Sequence, residues 1–131
     1  MSWVSVFAGF LVAHMVGDYL FQTDWQARNK RGGLSGPGVA RRALFSHVTT
    51  YTLAFLPAFV WIGSELDPGW AVVAAVLVFL PHLGIDDGRV VRLYLSRVKR
   101  ADGFDVGLAA SVDQSFHVLS LFLVALLVGA A

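Results

Sequence analysis

The stretch AHMVGDYLFQ, residues 13–22, lies within an otherwise apolar N-terminal run and carries the polar side chains His14, Asp18 and Gln22. Their i, i+4, i+8 spacing stacks them along one face of a helix. A histidine and an aspartate inside a hydrocarbon-spanning helix are costly and rarely face lipid. Their partners must come from elsewhere in the chain.

Composition sets the class. The 131 residues are 56% hydrophobic and only 15% charged, and the mean hydropathy is +0.66, far from the soluble average. These values predict an all-α polytopic membrane protein with one domain over residues 1–131. No Lys or Arg precedes the first apolar run, so the basic start of a signal peptide is missing. Cysteine is absent, which excludes disulfides and thiolate ligands. The basic residues flank apolar spans and form no basic domain, so nucleic acid is not an expected partner.

The apolar spans run over about 3–22, 43–62, 70–86 and 106–128 and are expected to form four transmembrane helices in one bundle. Pro57 predicts a kink in the second. The third is short and is expected to continue as helix through Asp86 into the amphipathic stretch 89–98, with a break at 101–105. All ten Lys and Arg fall in the connections 23–42 and 87–105, five in each. The positive-inside rule makes both basic loops cytoplasmic and both termini outside. Trp3, Trp25, Trp61 and Trp70 lie near span ends, as an aromatic belt does.

Every histidine in the chain lies within a span. His14 pairs with Asp18, His82 with Asp86 and, in reversed order, Asp113 with His117, each at i,i+4; His47 is alone on the second span. The reversal matters. Spans one and three run inward and span four outward, so Asp18, Asp86 and Asp113 form one layer near the cytoplasmic end. The histidines lie beside it or one turn deeper.

Three ionised aspartates in a low-dielectric bundle repel one another, so some are protonated or a cation is present. Imidazole with carboxylate suits divalent transition metals, with zinc first and manganese or iron next. The ligand candidates His14, Asp18, His47, His82, Asp86, Asp113 and His117 suffice for one or two ions. Such an ion can activate water as a nucleophile near neutral pH. Asp18, Asp86, Asp113 and His47 are the candidates for proton transfer. Gln22 and Gln114 are candidates to orient ligands, and Lys30, Arg41, Arg42 and Arg89 to hold an anionic group at the mouth.

Plainer readings stand beside these. A single buried His–Asp pair serves helix–helix contact alone, and His47, flanked by Ser46, Thr49 and Thr50, fits an interfacial hydrogen-bonding role. Arg89 fits a membrane-surface anchor. Gly17 and Gly84 fit close helix approach or space for a ligand. Asp24, Glu65, Asp67, Asp87, Asp102 and Asp105 read as solvated loop charges.

HMVGDYLFQTDWQARNK (14–30), SHVTTYTL (46–53), HLGIDDGR (82–89) and DQSFH (113–117) resemble the bacterial membrane family catalogued as domain of unknown function 3307. Its pattern reads H-x3-D-x3-Q-T, a lone H, H-x3-D-x2-K and D-Q-x2-H; Arg89 stands where the family has lysine, and the two are not equivalent contacts. The resemblance implies a small multi-pass protein of the bacterial cytoplasmic (inner) membrane and supplies no reaction. The chain is also similar to families labelled membrane-bound metal-dependent hydrolases, which share His/Asp-rich short spans.

The expected function is that of an intramembrane metal-binding protein, a metal-dependent hydrolase acting on a phosphate ester or lipid-linked substrate at the cytoplasmic leaflet. The expected partners are the lipid bilayer and that lipid or phosphate compound, with a homo-oligomer open. The alternatives are a proton- or ion-translocating unit and a structural or accessory subunit using the same cluster. The outer halves of the spans are nearly devoid of ionisable groups, which argues against conduction.

Overall fold

A computed structural model describes residues 1–101, 103 and 105–131. Asp102, within the expected break, lies outside them. The described elements are all helical: α1 (Trp3–Met15) running into a π-helical turn (Val16–Phe21), α2 (Asp24–Asn29), α3 (Gly38–Ala54), α4 (Leu56–Glu65), α5 (Pro68–Asp86), α6 (Arg89–Arg97) and α7 (Val106–Gly129).

Three segments, Trp3–Phe21, Pro68–Asp86 and Val106–Gly129, are long and apolar enough to cross a membrane, and the bent pair α3–α4 makes a fourth if counted as one span. Their outward faces carry exposed Val12, Val60, Val72, Leu80, Leu119 and Leu123. Helices apolar on both inner and outer faces suit a lipid surrounding. The α3–α4 bend is 49° and has the cause the sequence indicates. Pro57 has no N–H to offer the Leu53 carbonyl, and its ring crowds the preceding turn, so the helix breaks at Phe55.

Asp67 and Asp105 are exposed, as expected, and each also caps a helix: Asp67 accepts from the Gly69 and Trp70 N–H groups and Asp105 from Gly107. The expectation that α5 continues into residues 89–98 is corrected. Gly88 takes φ +82°, a left-handed conformation that ends α5 and starts α6 as a separate helix.

A polar layer separates two apolar cores. Along α5 the order is Val78, His82, Ile85; along α7 it is Val112, His117, Leu121. Val78 and Leu121 belong to the larger core, with Val6, Phe10, Phe55, Phe59 and Ile62. Ile85 and Val112 belong to the smaller one, with Val91 and Leu95 of α6.

Asp87 is a second correction. It was expected to be solvated and is 1% exposed. The chain after α2 folds back as a strap over the end of α5: Leu34 N–H donates to Asp87 Oδ1 at 2.9 Å, and Gly32 N–H donates to the Asp87 carbonyl at 2.9 Å. Arg89 Nε lies 3.1 Å from Asp87 Oδ2, and Arg89 also donates to Ser35 Oγ. The strap thus brings the end of α2 over the polar layer.

Close helix approach holds for Gly17. A Cβ there would lie 2.6 Å from Tyr51 Cδ2 and 3.2 Å from Tyr51 Cα. Gly84 is different: a Cβ there would meet nothing within 4 Å, so no helix closes on it. Gly17→Ala is expected to force α1 from α3 and cost about 1–3 kcal/mol, the usual penalty of overpacking. Thermal unfolding in detergent checks this, and Gly84→Ala should melt as wild type.

Candidate metal centre

Four helical segments bring their polar side chains to one point. Asp18 comes from the π-helical turn, His47 from α3, His82 and Asp86 from α5, and His117 from α7. The wide turn ends the regular α1 spacing at Met15. Such turns often occur at functional sites. Asp18 still lies beside His14, with Oδ2 3.6 Å from Nδ1. Gln22 leaves the face, because its backbone is extended. No hydrogen bond joins it to the cluster, and its buried Nε2 has no partner among the described residues.

His47 Nε2 lies 2.9 Å from Asp86 Oδ2, 3.3 Å from Asp18 Oδ1 and 3.1 Å from His82 Nε2. His82 Nε2 lies 3.0 Å from Asp86 Oδ2 and 3.6 Å from Asp18 Oδ1. Four donors held tetrahedrally about 2.0–2.1 Å from a zinc ion stand ~3.3 Å apart. The observed separations bracket that edge. Asp18 Oδ1 accepts no hydrogen bond despite its two ring neighbours. The two facing ring nitrogens have room for only one proton between them. These are lone pairs converging without enough hydrogens, which is the arrangement a cation satisfies.

His117 adds a further donor atom. Its Nδ1 donates to the Asp113 carbonyl at 2.9 Å, so in the neutral ring Nε2 is a bare lone pair. That atom is buried without a partner and lies 3.5 Å from Asp86 Oδ1, also without one. Two groups therefore have the size to hold an ion, Asp18–His47–His82 and His82–Asp86–His117.

Other candidate residues stand around this centre. Gln114 turns its amide NH2 toward Asp18 Oδ2 (3.5 Å) and Asp113 Oδ2 (3.4 Å), which can only accept. Its carbonyl therefore faces His14 Nε2 at 3.0 Å, while His14 Nδ1 meets the Tyr51 hydroxyl at 3.0 Å. Both His14 nitrogens are engaged, so His14 and Gln114 orient Asp18 from outside the ion-sized groups. Asp113 lies behind the His117 ring, with Oδ2 3.4 Å from Nδ1. It borders a crevice lined by Arg31, Gly88 and Arg92.

Lys30 reaches in from the strap, and its Nζ donates to Asp86 Oδ2 at 2.8 Å. Arg89 stays outside, its side chain 54% exposed, paired with Asp87. Arg41 and Arg42 are exposed on α3. Ser46 bonds Gln26, not His47.

Tyr51 and Gln26 are additions that the sequence reading did not single out. The Tyr51 ring stacks on His82 with centroids 3.4 Å apart. Gln26 is buried, closes the Thr23 capping box and ties α2 to Ser46 of α3. Tyr51 follows His47 at i,i+4, a spacing that could have marked it.

The family model described as "Protein of unknown function (DUF3307)" matches residues 6–131. No curated protein and no solved structure matches the chain.

Proposed function

We propose that this chain, which belongs to the DUF3307 family, is a membrane-embedded metal-binding protein and a metal-dependent hydrolase. Its substrate is a phosphate ester or lipid-linked compound at the cytoplasmic leaflet. The observation that carries this reading is the convergence of Asp18 Oδ1, His47 Nε2, His82 Nε2 and Asp86 Oδ2 at ion-sized separations, with two lone-pair atoms, on Asp86 and His117, beside them. Nitrogen and carboxylate donors in this number favour zinc, then manganese or iron. One divalent ion fits Asp18–His47–His82, with Asp86 Oδ2 beside the two rings, or His82–Asp86–His117; the two groups share His82. Bound there, the ion would supply Lewis-acid activation of water and of a phosphoryl oxygen.

The chain's own residues divide the remaining work. His14 fixes the Gln114 amide, whose NH2 faces the Asp18 carboxylate. The Asp113 carbonyl fixes the His117 tautomer, leaving its inner nitrogen to accept a proton. Lys30, Arg31 and Arg92, with the Asp113 crevice, give the basic end an attraction for anionic groups. Basic connections on one side support a cytoplasmic placement of that end, with both termini outside and the bundle in a bacterial inner membrane. The dry core of Phe10, Phe55, Phe59 and Ile62 beyond the cluster favours a closed site over a conducting path.

Elemental analysis of the detergent-purified protein is expected to find near-stoichiometric transition metal, and His82→Ala should lower it at least tenfold. Folded wild type that takes up no metal sinks the reading. Phosphate release from short-chain phosphatidic acid in mixed micelles, absent in His82→Ala, tests the hydrolase step.

A further inference from the structure

We propose that Lys30 is the site's exchangeable cation: its ammonium group holds Asp86 until a divalent ion enters, and the ion expels it toward the basic end of the bundle. This rests on the metal reading above and deepens it.

The first observation is crowding on one atom. Lys30 Nζ lies 2.8 Å from Asp86 Oδ2, which His47 Nε2 and His82 Nε2 also approach at 2.9 and 3.0 Å. An ion held by those two rings and Asp18 stands beside that oxygen and the ammonium group on it. The second is charge. Inside the bundle Asp18 and Asp86 bring two formal negative charges, while Asp113 faces a crevice with its own Arg31 and Arg92. A divalent ion neutralises the inner pair fully. It then leaves the ammonium with a like charge close by and no net anion to hold it, an unfavourable arrangement at low dielectric.

The third observation is that Lys30 can leave. Its side chain is 14% exposed while that of Asp86 is fully buried. Its backbone is held independently: Lys30 N–H donates to the Gln26 carbonyl, Gly33 N–H donates to the Lys30 carbonyl, and the strap is fastened on Asp87. Only a flexible four-carbon stem has to swing. Because coupling between two binding events is reciprocal, Lys30 must weaken ion binding as much as the ion weakens the hold on Lys30.

The experiment uses the full chain in detergent and Zn²⁺ alone, with affinity read by competition against a chelating dye. Lys30→Met is expected to bind Zn²⁺ at least tenfold more tightly than wild type, with Lys30→Arg weaker than Lys30→Met. Independently, Zn²⁺ should raise amine-reagent labelling of Lys30 in wild type several-fold, read by mass spectrometry. The one other lysine, Lys99, serves as the internal reference. Stoichiometric Zn²⁺ in wild type with equal or weaker binding by Lys30→Met, or with unchanged Lys30 labelling, overturns this proposal and leaves the metal site standing. Wild type that binds no Zn²⁺ overturns both. If Lys30→Met fails to fold, the labelling result decides.

Discussion

Asp86→Ala is expected to be the most destabilising single substitution in the bundle, costing about 3–5 kcal/mol with a chelator present. Asp86 is 2% exposed. One of its oxygens faces Lys30, His47 and His82, and the other lies 3.5 Å from His117 Nε2. Removing the carboxylate leaves the His47, His82 and His117 ring nitrogens buried without that acceptor and takes from Lys30 the anion that holds it inward. Losing one partner of a buried charge network costs more than the network is worth as a whole. Asp86→Asn keeps the shape and one carbonyl acceptor, so it should lose roughly half as much. The measurement is reversible unfolding in mixed micelles as the denaturing detergent fraction rises. A loss below about 1 kcal/mol would mean that water reaches Asp86 and the layer is not the dry site the packing describes.

The sequence made the layer legible and its inner arrangement much less so. His82–Asp86 and Asp113–His117 are neighbours on their helices because i,i+4 spacing makes them so. The three aspartates and four histidines fall in one layer because successive long helices run in opposite directions, and the His–Asp order is reversed on the last. Spacing fixes a face, however, and does not say which atom of that face points inward. His14 has the same spacing to Asp18 as His82 has to Asp86, yet both its nitrogens are taken up by Tyr51 and Gln114. His47 had no pair to mark it, and its Nε2 lies within 3.3 Å of Asp86, His82 and Asp18.

The strap was out of reach for a different reason. Its path depends on left-handed turns at Gly32 and Gly88 and on a buried Asp87 that, in sequence, looks like any loop acid. Without the strap, Lys30 reads only as one more basic residue at the membrane surface. The π-helical turn is a tertiary effect as well: nothing local in VGDYLF (Val16–Phe21) demands it, whereas the approach of Gly17 to Tyr51 ties it to α3.

Replacing the whole inner layer should separate what it does for stability from what it does for chemistry. The combined variant Lys30→Met, Asp18→Val, His47→Leu, His82→Leu, Asp86→Val is expected to bind no metal, yet to unfold at or above metal-free wild type. Apolar replacements of similar volume remove the desolvation penalties and charges of these five residues together, a change that is neutral or stabilising by about 1–4 kcal/mol in buried ion-pair networks. The comparison that matters is with Asp86→Ala. If the layer exists to bind an ion, the bundle folds despite it, and five substitutions are better tolerated than one. If instead the combined variant is less stable than Asp86→Ala, or loses its single well-dispersed set of NMR resonances, the polar contacts themselves select this packing of α1, α3, α5 and α7. The cluster would then act as a folding determinant that happens to have the dimensions of a metal site.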